Sequence, residues 1–175
     1  MIIGDYYNLM AQIELIYIPG YPNDRIPLGT FNFIIDGEFY PGKGCDIELF
    51  YALDSFKNNL ECGLKYITED LGDTSLYKLD IYNILDNAAE GNPNNIIELS
   101  RGSMLAEDHG FICLLGFDGD EERLIFSNTG YKNFQEIRYP KGTVEAVIRS
   151  LPRSKELRVK VEGNQMITYI EKNDI

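Results

Sequence analysis

Apolar and polar positions alternate with a period of two near both ends of the chain, and the spacing turns helical in between. In LMAQIELIYI, residues 9–18, Gln12 and Glu14 stand among β-branched and large apolar residues, which predicts a strand with one partly solvated face. Pro19, Gly20, Pro22, Asn23, Asp24 and Pro27 follow as a loop of turn-forming residues. In GTFNFIIDGEFYPG, residues 29–42, Phe31, Phe33 and Ile35 share one side, and Thr30, Asn32 and Ile34 the other. Asp36-Gly37 then supplies two positions that tolerate φ > 0, so residues 28–40 are predicted as a hairpin, ended by Pro41-Gly42-Lys43-Gly44. The first third thus reads as an antiparallel meander of about three strands.

Residues 46–61, DIELFYALDSFKNNLE, change period: Ile47, Phe50, Tyr51, Leu53, Phe56 and Leu60 follow helical spacings, and Gly63 stands as the stop. Residues 73–87, DTSLYKLDIYNILDN, allow two readings. Asp73, Thr74 or Ser75 can cap a helix, but Leu76, Leu79, Ile81, Ile84 and Leu85 spread around the wheel. A helix buried on most sides is preferred over a segment that is partly strand. The polar loop at 90–95 is an internal boundary and not a linker, because either half alone would have a thin core. GFICLLGF (110–117) and RLIFS (123–127) flank the acidic turn at 118–122 as a second hairpin, with a further strand at 134–138. Val144, Val147, Ile148 and Leu151 stand at i, i+3, i+4 and i+7 of a helix that Pro152 stops. LRVKVE (157–162) and MITYIE (166–171) alternate around Gly163-Asn164 as a closing pair of strands. The expected class is α+β, a single domain over 1–175 in which antiparallel hairpins form a sheet with two to three helices packed on it.

Charge narrows the choice of partner. Sixteen Lys and Arg against 28 Asp and Glu give −12. Residues 1–100 hold 16 acids and 5 bases, net −11, and residues 101–175 the other 12 and 11, net −1. Such a surface repels nucleic-acid phosphates and anionic lipid and attracts basic protein surfaces. Hydrophobic content of 44% and charged content of 25% are those of a globular chain, and no apolar run approaches the ~18 residues of a membrane span. The start, MIIGDYYNLM, lacks the basic and apolar regions of a signal peptide. Cys45, Cys62 and Cys113 are odd in number and far apart, as for plain buried or semi-buried thiols in a reducing cytoplasm.

Chemistry is sparse. The single histidine, His109, follows Asp108 and lies four residues before Cys113, but sequence neighbours do not secure the geometry of a nucleophile with its base. The run DGDEE at 118–122 lacks a calcium-loop pattern, since Arg123 and Thr129 occupy its sixth and twelfth places. Gly42-Lys43-Gly44 lacks the P-loop spacing. No cofactor or metal ligand is expected, and binding is favoured over catalysis. Tyrosines offer large contact area with a hydrogen-bonding tip, and acids beside them speed encounter with a basic partner. Residues 46–86 combine both: Asp46, Glu48, Asp54, Glu69, Asp70, Asp73 and Asp80 with Tyr51, Tyr66, Tyr77 and Tyr82. They are the candidate contact residues, set against the plainer reading of core tyrosines and solvated acids.

MIIGDYYNLMAQIELI, GTFNFIIDGEFYPG and YPKGTVEAVIRSL resemble bacterial polymorphic-toxin immunity proteins, specifically the family numbered forty-two among them. Met1 to Asp5 and Ile35 to Tyr40 match the family's order of start, strand and hairpin, while Tyr6 stands where the pattern has proline. The resemblance implies a protein of the contact-dependent growth-inhibition type that binds and neutralises a toxin domain encoded beside it. Such toxins are often basic nucleases, which suits the acidic charge, and the family carries over no catalytic residue. Two other readings stay open: an acidic adaptor for another basic protein, and a small hydrolase using Asp108, His109 or Cys113.

Overall fold

A computed structural model describes residues 1–21, 26–42, 46–89 and 95–171. Pro22, Asn23 and Asp24 of the first loop, Lys43, Gly44 and Cys45, and most of the boundary loop (90–94) lie outside the described residues. The architecture is α+β, with eleven antiparallel strands and four helices among the described residues.

The first sheet holds β1 (Ile2–Gly4), β2 (Leu9–Leu15), β3 (Leu28–Ile35), β4 (Glu38–Tyr40) and β5 (Asp46–Glu48). β1 pairs with β2 and β2 with β3, whose far edge is shared by β4 at one end and β5 at the other. On β2 the alternation does what it predicts: Leu9, Ala11, Ile13 and Leu15 are buried and Glu14 is exposed. The hairpin register is Ile35 opposite Glu38, with Asp36 and Gly37 at φ 51° and 80°. The Asp-Gly pair thus turns β3 into β4 in two residues.

The 46–61 segment differs from a continuous helix. Asp46–Glu48 is a strand, because Ile47 fills a core position opposite Gly29 on β3. A π-helical turn, Phe50–Asp54, leads into α1 (Ser55–Tyr66). Gly63 is not its stop. A Cβ there would lie 2.5 Å from Cγ2 of Ile97, so the glycine lets α1 settle against the second sheet.

That sheet runs β6 (Ile96–Glu98), β7 (Ile112–Asp118), β8 (Glu121–Ser127) and β9 (Gln135–Pro140) in order. Asp118 pairs with Glu121, so the acidic turn is only Gly119-Asp120, and the acids flanking it belong to the strands. The main core joins Leu9, Ile13, Phe31 and Phe33 of the first sheet to Cys113, Leu115, Leu124 and Phe126 of the second, with Phe56 and Leu60 of α1. Phe31 stacks on Phe56 at 5.4 Å, and Phe33 meets Phe56 edge-on at 5.3 Å. α4 (Thr143–Ser150) adds Val144, Val147 and Ile148, as its spacing predicts. A one-turn helix, α3 (Met104–Glu107), is capped by Ser103.

The 73–87 segment is not one helix. A 3-10 turn, Leu76–Lys78, precedes α2 (Ile81–Ala89). Asp80 caps α2 by accepting from the Asn83 N–H at 3.1 Å, in place of the caps expected at 73–75. The chain closes with the expected pair of strands, β10 (Leu157–Glu162) and β11 (Gln165–Ile170), with Glu162 opposite Gln165, and the Thr168 hydroxyl accepts from the Leu15 N–H at 2.8 Å. No helix among the described residues is long and apolar enough to cross a membrane.

Candidate functional site

The β6–β9 sheet buries both faces, because its strands are apolar in both phases of the alternation. The inner face joins the main core. Ile96, Ile112, Leu114 and Ile125 point outward and are roofed by Leu71, Leu76, Leu79, Ile81, Ile84 and Leu85. Residues 67–89 are thus a cover laid on the sheet. Gly116 admits it closely: a Cβ there would stand 2.7 Å from Leu71 Cδ2.

A buried arginine pins the cover. Arg123 on β8 is 0% exposed. Its Nη1 donates to the Gly72 carbonyl and its Nη2 to the Thr74 carbonyl at 2.7 Å, while Nε and Nη2 hold both oxygens of Glu136 at 2.8 Å. Burial works against the Glu136 carboxylate, but the bonds and charges of Arg123 and Arg138 together outweigh it and set the pKa below the ordinary value. Arg138, opposite Arg123 on β9, gathers Asp118 at 2.7 Å, Glu121 at 2.9 Å, Glu136 at 3.1 Å and Asp73 at 3.5 Å. An Asp70 oxygen accepts from the Gly119 N–H at 2.9 Å, which ties the cover to the tip of the β7–β8 hairpin.

With its apolar side committed, the cover shows polar groups outward. Glu69, Asp70, Asp73, Asp80 and Asp86 are exposed, and Lys78 is the one base in residues 66–87, so this stretch carries five acids against one base. Tyr66, Tyr77 and Tyr82 stand among them at 69%, 85% and 56% exposure. Seven of the eleven candidate residues therefore share one region: Tyr66, Glu69, Asp70, Asp73, Tyr77, Asp80 and Tyr82. Asp46, Glu48, Tyr51 and Asp54 lie before the other end of α1, whose 12 residues span about 18 Å. Asp54 there is engaged by Arg153 and Ser154.

Arg123, Arg138, Asp86, Asp118 and Glu121 escape the sequence reading. The signal for them is the run LLGF against RLIF. Strands apolar in both phases need cover on both sides, and Arg123 falls in the phase of Ile125.

The suggested Cys113 and His109 pairing does not form a nucleophile. Cys113 lies in the main core, and burial pushes its thiol well above the ordinary range, so no thiolate is on offer. Cys62 is exposed on α1, contrary to the expectation of a buried or semi-buried thiol, because it sits on the solvent side of the helix. Among the described residues no group of three or more His, Cys, Asp or Glu is placed to hold a metal ion.

Residues 1–154 match the family described as Immunity protein 42, and the chain belongs to that family. The match takes in both large sheets and all four helices and ends before the β10–β11 ribbon. Over 61 residues the chain is 39% identical to an uncharacterized protein of Pasteurella multocida (strain Pm70), which covers 35% of this chain and 36% of that protein. The chain thus spans little more than a third of that relative's length. No solved structure matches the chain.

Proposed function

We propose that the chain acts in the cytoplasm of the cell that makes it, binding a basic toxin domain, such as a nuclease, through the acidic face of the cover and occluding the toxin's substrate-binding surface. The observation that carries this reading is the cover itself: five exposed acids interleaved with three exposed tyrosines, on a segment fixed in place from beneath. Carboxylates steer a basic partner and stand in for phosphate charge, while tyrosines give contact area at little conformational cost. The 1–175 chain works as one unit in this reading, and by binding instead of catalysis.

The test is co-expression with the open reading frame beside the gene. Its product should kill alone, be harmless together with this protein, and co-purify with it. Interface variants should avoid acids with structural duties. Asp70 holds the Gly119 N–H, Asp73 pairs with Arg138 and Asp80 caps α2, whereas Glu69 and Asp86 show no such bond among the described residues. Glu69→Lys with Asp86→Lys should leave the fold intact, slow association about tenfold and flatten its dependence on salt. Unchanged association kinetics would remove the cover from the interface.

A further inference from the structure

A second feature lies at the opposite end of α1. A pocket of about 480 Å³ opens between the π-helical turn and the turn after α4, with Pro27 and Phe50 as its apolar wall and Asp54, Asn58, Arg153 and Lys155 among its polar lining. This volume falls within the roughly 300–1,000 Å³ of small-ligand sites. π-helical turns are rare and gather at functional positions. This one brings Phe50, 53% exposed, and Asp54 to the same cavity.

The polar floor is already ordered. Asp54 accepts from Arg153 Nη1 at 3.2 Å through one oxygen and from the Ser154 hydroxyl at 2.6 Å through the other. The same Nη1 donates to the Asn58 side-chain oxygen at 2.9 Å, and the Arg153 backbone N–H donates to Glu156 at 2.7 Å. Nε and Nη2 of Arg153 and Nζ of Lys155 make no hydrogen bond among the described residues. Arg153 and Lys155 against Asp54 leave the lining at +1, in a chain whose net charge is −12. Nearby, Lys57 Nζ donates to the carbonyls of Arg149 and Leu151, and burial followed by the charge of Arg153 lowers its pKa. A monoanion matches such a cavity, and the fork of an arginine suits a planar carboxylate.

We propose that this pocket binds a carboxylate carried on an apolar stem, with Arg153 and Lys155 taking the carboxylate and Phe50 and Pro27 the stem. The stem can belong to a free small acid or to an acidic side chain of a bound protein. The site is independent of the contact made through the cover.

Titrating ¹⁵N-labelled protein with 3-phenylpropionate, and separately with 3-phenylpropionamide, tests it. Saturable amide shifts are expected at Phe50, Asn58, Ser154 and Lys155 with the acid, about tenfold weaker binding with the amide, and loss of acid binding in Lys155→Glu. Lys155 is exposed, so this variant should keep the fold, checked by an unchanged spectrum elsewhere. No shifts at millimolar acid, equal shifts with the amide, or unaltered binding in Lys155→Glu would overturn the site. With acid binding in hand, Lys155→Glu and Phe50→Ala are compared for affinity toward the co-purified toxin. Weakened affinity assigns the stem to a toxin side chain, and unchanged affinity assigns it to a small acid. A protein that binds the acid but rescues no toxin would retain the pocket and lose the immunity mechanism.

Discussion

Glu122 and Arg123 are neighbours on β8, both 0% exposed, and strand alternation sends them to opposite faces of the sheet. Glu122 points into the main core, where one oxygen accepts from the Val144 N–H at 2.6 Å at the start of α4. Gly142 precedes that helix with no capping side chain, so β8 supplies the cap. Among the described residues the other oxygen, Oε1, finds no partner, and neither does the hydroxyl of Tyr139, its opposite number on β9. Burial raises the Glu122 pKa despite the backbone bonds that favour the anion, and burial with the charge of Asp36 pushes Tyr139 up to about 12. Arg123 points outward beneath the cover, and its three nitrogens all find acceptors. A charge used inside the core meets few partners, whereas one used to fasten a loop meets a row of carbonyls. The inner face is therefore built on packing with one costly ion, and the outer face on polar fastening with a thin apolar layer.

Phe56→Ala strikes the inner face hardest, because Phe56 touches both Phe31 and Phe33. Urea unfolding should show a loss of about 3–5 kcal/mol, the range for removing a buried aromatic. Arg123→Met should cost about 3 kcal/mol, the lower end for breaking a buried pair, since Glu136 keeps Arg138 at 3.1 Å. Its signature should be local, with amide exchange accelerating across 70–80 well before β3. Uniform acceleration would mean that the two faces unfold as one, and the contrast between them would collapse. Glu122→Gln should be the mildest. The raised folded pKa means that the carboxyl favours the folded state fully only below its unfolded pKa, and this advantage is lost as pH rises through the folded value. The amide should thus raise the melting temperature by a few degrees at pH 7 and leave it unchanged at pH 3. A drop at pH 7 would show the anion to be a net asset at the α4 cap.

The hairpins and α4 are legible in the sequence because their signals are local. Alternation on β2, Asp36-Gly37 and the spacing of Val144, Val147 and Ile148 each specify their element without reference to the rest of the chain. What escapes depends on what lies across the fold. Gly63 reads as a stop but is a close approach to Ile97, and Ile47 fits a helical pattern but fills a strand position against Gly29. The spread of Leu76, Leu79, Ile81 and Ile84 around a wheel reflects a chain that breaks at Asp80 between a 3-10 turn and α2, each turning its apolar residues to the same sheet. The acids and tyrosines of 66–82 are visible from composition, but the side on which they show is set by Arg123, a residue about fifty positions away.

Arg123 grips the cover through the carbonyls of Gly72 and Thr74, groups that every amino acid possesses. These two bonds are indifferent to which side chains the cover displays, whereas Asp70 and Asp73 fasten it, and Asp80 caps α2, through their own carboxylates. Outward positions without such duties, Glu69 and Asp86 among them, can therefore be rewritten while the Arg123 attachment stays.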